Sequence, residues 1–92
     1  MIYFKETFTE DGDVFIRIEG ELNNTAMPVL RDLCAGHLGK KRKLSINLED
    51  VNRIDNESLA YLQSIRSQVR LDGLSQYLKL ELDEAGYVKQ SK

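Results

Sequence analysis

Few residues in this 92-residue chain are of a type that could do chemistry, and most of them are isolated. His37 is the only histidine and Cys34 the only cysteine, three positions apart. A thiol and an imidazole can act as nucleophile and base, but three residues along one helix face do not make that pair without an acid to orient the base. At helical spacing both fall on one apolar face, so packed core is the expectation for Cys34 and a packed or boundary histidine for His37. Metal ligation would need a second His or Cys at ligand spacing, and there is none. Gly36-His37-Leu38-Gly39-Lys40 lacks the GxxxxGK[ST] order of a phosphate loop and reads as the end of a helix. Glu49 and Asp50 sit in a turn, where solvated charge is the ordinary explanation. Lys40 to Lys43 form a basic run without interleaved aromatics, in a chain of net charge −2 and pI about 5.4. That is a solvated loop rather than a nucleic-acid patch. The residues thus point to a protein without catalytic, metal or cofactor chemistry.

The elements that must position any other function are clearer. Leu44, Ile46 and Leu48 alternate with Ser45 and Asn47, which predicts a strand. Asp55, Asn56, Glu57 and Ser58 follow as residues suited to starting a helix. Such a strand-to-helix junction is where open α/β sheets commonly carry their sites. Upstream, Ile2–Phe8 and Val14–Glu19 are β-like runs around Asp11-Gly12, a hairpin signal because glycine accepts the positive φ of a tight turn. A first helix is predicted from about Thr25 to Leu38, with Pro28 tolerated in its first turn, Ala26, Leu30, Leu33, Cys34 and His37 facing inward, and Gly39 as C-cap. A second helix is predicted from about Glu57 to Leu71, burying Leu62, Ile65 and Val69. Tyr77–Leu82 reads as a fourth strand with Leu78, Leu80 and Leu82 inward, and Asp83-Glu84 could begin a short terminal helix.

The order β-β-α-β-α-β predicts one α/β domain over residues 1–92, a four-stranded mixed sheet with helices on one face. The other face, with Lys5, Arg17, Ser45, Asn47, Lys79 and Glu81, should be wet. No apolar run approaches the roughly 20 residues of a membrane span, and no signal peptide opens the chain. With a single cysteine this predicts a cytoplasmic protein. On the second helix, Glu57, Ala60, Ser64, Ser67 and Leu71 share a narrow arc of mostly small residues. The arc reads either as a docking surface or as small polar residues facing water.

INLEDVNRIDNESLAYL resembles the characteristic stretch of the STAS domain, the family of sulfate transporters and anti-sigma factor antagonists: a strand ending in Asp, a turn, then hydrophobic-Asp-Ser-Ser-Gly-Leu opening a helix. EGELNNTAMPVLRDL resembles the turn that leads into the family's first helix. The likeness runs from Val14 to Leu82. It implies a STAS-like sheet with helices on one face, no enzymatic activity, and partner switching, in which the unmodified domain binds an anti-sigma factor kinase and phosphorylation at the helix start breaks the contact. That role implies a bacterial protein in transcription regulation.

Aligned without a gap, Asp55 falls on the family Asp, Asn56 on the first Ser, Glu57 on the second Ser, the usual phosphoacceptor, and Ser58 on the Gly. Glu carries about −1 charge against −1.5 to −2 for phosphoserine, so Glu57 is a partial mimic. Ser58 is the one candidate for a displaced phosphoacceptor, and Asp55 for the helix cap. The implied function is a protein-binding module docking through Asn56, Glu57, Ser58, Ala60, Ser64 and Ser67. Its partner would be an anti-sigma factor or serine-kinase-like protein. The alternative is a STAS subunit of a larger assembly, such as a lipid-transport ATPase partner or stressosome-like complex. The strand that follows the last helix in many members is missing, which leaves a sheet edge able to pair with another chain, including a second copy.

Overall fold

The computed structural model describes residues 2–82. Its elements are β1 (Ile2–Phe8), β2 (Val14–Leu22), α1 (Met27–Gly39), β3 (Leu44–Ile54), α2 (Asn56–Ile65) and β4 (Arg70–Asp72). Residues 76–82 form a third helix, α3. The strands make one mixed sheet in the order β1-β2-β3-β4, with β1 antiparallel to β2 and the rest parallel.

Alternation builds the sheet and decides its faces. Val14, Ile16 and Ile18 of β2 and Leu44, Ile46 and Leu48 of β3 are buried, together with Leu30 and Cys34 of α1 and Leu62 and Ile65 of α2. Phe15 and Arg17 project to the other face and are exposed. Across the hairpin Lys5 lies opposite Arg17. Arg17 in turn pairs with Asp50, and with Glu19 at 3.4 Å. The Thr9 N–H donates to the Asp13 carbonyl at 3.0 Å, and Gly12 takes the positive φ (90°) of the turn.

Later in β3 the alternation changes phase. Arg17 and Glu19 of β2 face Asn47 and Asp50, and Gly20 and Glu21 face Val51 and Arg53, so β3 holds one extra residue at each step. These two bulges turn a period of two into a period of three. Leu48, Val51 and Ile54 all reach the core as a result.

The first helix starts at Met27, two residues later than expected, because Asn23 holds the entry: its side-chain oxygen accepts from the Thr25 N–H at 3.0 Å and its carbonyl from the Met27 N–H at 3.0 Å. Gly39 lies inside this helix rather than capping it. Lys40 is the C-cap, and Lys41 takes the left-handed conformation (φ 59°).

The C-terminal half differs more. The second helix ends at Ile65, not Leu71, and the fourth strand is Arg70–Asp72, not Tyr77–Leu82. Val69 is buried as expected, but from the turn before β4. Leu78, Leu80 and Leu82 lie on α3: Leu78 and Leu82, four apart, are buried, whereas Leu80 faces outward. Ser75 starts α3, its hydroxyl accepting from the Leu78 N–H at 3.1 Å and its carbonyl from the Lys79 N–H at 2.9 Å. Lys79 and Glu81 therefore stand on a helix and not on the open sheet face. The Asp83-Glu84 reading lies outside the described residues.

Candidate functional site

The junction from β3 to α2 is built around Asp55. Its backbone is extended (φ −88°, ψ 172°) and its Oδ1 accepts from the Ser58 N–H at 2.8 Å, an N-cap bond that satisfies one of the free donors of the helix start. The Ser58 hydroxyl and N–H both face this carboxylate and hold its pKa below the ordinary Asp value. The N–H bond is the well-formed one; the hydroxyl makes no hydrogen bond of good geometry. A group held below its unfolded value of about 3.9 contributes stability above that pH and loses it as pH falls through the folded pKa. Thermal melts should therefore show Asp55→Ala melting below wild type at neutral pH, with the difference closing under acid conditions below about pH 4. A difference that stays constant with pH would remove the cap from the account.

From this cap, Asn56, Glu57, Ala60 and Ser64 run along the outer side of α2, all exposed. Ser67 is exposed too, but lies in the turn beyond the helix end. The Ser64 hydroxyl donates to the Tyr61 carbonyl at 2.6 Å, one turn back, so it presents little free polarity. Leu71, expected on the same arc, lies in β4.

Ser58 must be taken out of this surface. Its side chain is fully buried and its Oγ has no hydrogen-bond partner among the described residues. Ser58, Leu62 and Ile65 are spaced i, i+4, i+7, so Ser58 begins the inward stripe of α2. Neither a docking partner nor a kinase can reach it while α2 is formed, which corrects both the docking set and the displaced-acceptor reading. The spacing that shows this was present in the sequence.

The other candidate groups are structural. Cys34 is buried, and burial raises its pKa, opposite to what a nucleophile requires. It lies against Tyr61, whose phenol is pushed up to about 12, chiefly by burial, and whose ring carries the Arg31 guanidinium 5.4 Å from its centre. These contacts tie α1 to α2. The His37 Nε2 lies 2.5 Å from a Glu6 carboxylate oxygen and its Nδ1 3.2 Å from Arg42 Nη1. Arginine can only donate, so Nδ1 accepts and Nε2–H donates to Glu6. The Phe8 ring meets the imidazole edge-on at 5.7 Å, and His37 thereby clamps β1 to the end of α1. Among the described residues no three His, Cys, Asp or Glu come together to hold a metal ion, and no helix is long and apolar enough to cross a membrane.

A capped helix start after the central strand, between a parallel β2-β3 pair and a small-residue helix face, can be set against known families. The STAS domain model matches residues 5–79. The chain belongs to the STAS domain family. Among solved structures, it is similar to an uncharacterized protein of the DUF3478 family with a SpoIIAA-like fold from Shewanella loihica PV-4. The TM-score is 0.59 at 10% identity, covering 95% of this chain and 78% of that one. That likeness is one of fold. No curated protein matches this chain. Glu57, the residue before Ser58, is exposed.

Proposed function

We propose that this STAS domain is a non-enzymatic protein-binding module resembling an anti-sigma factor antagonist, docking its partner through the start and outer face of α2. The observation that carries this reading is the run of Asn56, Glu57, Ala60 and Ser64, exposed and mostly short, beginning at a helix N-terminus already capped from within by Asp55. Short side chains let a partner's backbone or side chains approach the helix closely, and the partner has no orphan cap to satisfy. The partner expected is an anti-sigma factor or serine-kinase-like protein. Glu57 stands where a hydroxyl would be modified, so its carboxylate makes the contact independent of phosphorylation at that position.

Ala60→Arg and Ser64→Arg each place a long cation on this face without touching the core. Both variants should keep the wild-type melting temperature and circular dichroism and lose the partner that wild-type protein captures and mass spectrometry identifies. Capture of the same partner by either variant at wild-type yield would overturn the proposal. Co-elution of the native protein with a large complex would instead mark it as a permanent subunit of an assembly.

A further inference from the structure

Strand β3 runs on to Ile54, but β4 pairs with it only at Ser45, Ile46 and Asn47. Beyond Asn47, β3 has a neighbour on its β2 side and no strand on the other among the described residues. The Asp55 N–H donates to the Leu22 carbonyl at 3.1 Å. In a parallel ladder this directs the groups on either side of Ile54 toward β2 and the Ile54 N–H and C=O away from it. These groups face a cavity of about 240 Å³, with Val51 to Ile54 as one wall and Ser75, Tyr77 and Leu78 as the other. Val51, Ile54 and Leu78 make its inner side apolar. Two exposed side chains stand at its rim: Tyr77, and Arg53, whose side chain is 78% exposed and meets Glu21 only at 3.5 Å.

An unpaired backbone edge beside an apolar wall is complementary to another extended backbone, and an exposed cation at the rim selects for an acidic neighbour. We propose that this groove receives an extended segment of a partner protein, added as a strand along Val51–Ile54. One apolar side chain of that segment packs over Val51, Ile54 and Leu78. The next residue, pointing to the opposite face, is acidic and pairs with Arg53. This contact is separate from the α2 face and stands whether or not that face docks a partner.

The test begins with a phage-displayed library of random heptapeptides panned on the immobilised full chain. The enriched peptides should alternate apolar residues with Asp or Glu. A synthetic peptide of the consensus should shift the amide resonances of residues 51–54 and 75–78. Methylating alternate backbone nitrogens of the peptide should weaken binding about tenfold or more, as should Arg53→Glu or Tyr77→Ala in the protein, with the melting temperature retained. Ala60→Arg should bind the peptide as wild type does. No enrichment over the bare support, equal binding of the methylated peptide, or resonance shifts elsewhere would overturn the proposal. Shifts at 51–54 that appear without peptide as protein concentration rises would overturn it too, by assigning the groove to a second copy of the chain.

Discussion

Ser58→Asp should lower the stability of the protein by about 3 to 5 kcal/mol at neutral pH. The hydroxyl at this position is fully buried without a hydrogen-bond partner, and its own N–H is committed to the Asp55 carboxylate. The substitution sets a second carboxylate among Leu62, Ile65 and the sheet, with the first one close by. A buried, uncompensated charge costs about 3 to 5 kcal/mol, a large share of the roughly 5 to 14 kcal/mol available to a domain of this size. Urea titration followed by circular dichroism would measure the loss, which should shrink as pH is lowered and the introduced carboxylate protonates. Ser58→Ala keeps a small residue in the buried position and should change stability by no more than about 1 kcal/mol, since the hydroxyl it removes faces the Asp55 carboxylate without a well-formed hydrogen bond. A folded, stable Ser58→Asp protein would mean that the site opens to solvent, and would return Ser58 to the list of modifiable residues.

Gly73→Ala is the other substitution with a large expected effect. Gly73 follows β4 with φ +69°, a conformation that costs an L-residue about 1 to 2 kcal/mol. The added methyl would also stand 2.6 Å from the Asn47 side-chain oxygen and 2.8 Å from the Glu49 backbone nitrogen. These two atoms are already bonded to each other at 2.8 Å, so neither can withdraw freely. Overpacking of this kind adds about 1 to 3 kcal/mol, for a total of about 2 to 5 kcal/mol. The same denaturant titration should show it, and hydrogen exchange should show β4 losing protection first. Gly12→Ala, also at positive φ but with open space around the added methyl, isolates the conformational part. Equal losses at the two glycines would show that the close approach to Asn47 and Glu49 contributes nothing.

The legible and illegible parts of the fold divide on whether a pattern had one solution. In β2 and early β3, alternation over several residues admits only a strand, and Asp55 before the stripe of α2 admits only a helix start. Those elements, the hairpin turn and the four-stranded mixed sheet were accordingly readable. The spacing of Leu62, Ile65 and Val69 suits one long helix, yet the structure keeps all three buried while ending the helix at Ile65. Leu78, Leu80 and Leu82 suit a strand by period two, but Leu78 and Leu82 alone suit a helix by period four. Ser75 decides for the helix, and a three-residue β4 is too short to show alternation. The outer face of α2 was readable only as far as Ser64, because helical spacing groups Glu57, Ala60 and Ser64, but Ser67 and Leu71 fall beyond the helix end and Ser58 is buried; the groove beside late β3 follows from the unequal lengths of two strands, which no local pattern encodes. The bulges in β3 lie beyond such patterns as well, since they depend on pairing with β2.

Lys5 sits at the middle of β1, the longer exposed edge of the sheet, directly across from Arg17. If β1 met its own copy in a twofold antiparallel pairing at full overlap, position 5 would face position 5, setting two ammonium groups side by side next to two guanidinium groups. Like charges directly opposite are destabilising, and a lysine on an edge strand is a common guard against such contacts. Pairing of two copies in that register is thereby disfavoured, whereas a chain with a carboxylate at the matching position would not meet that repulsion.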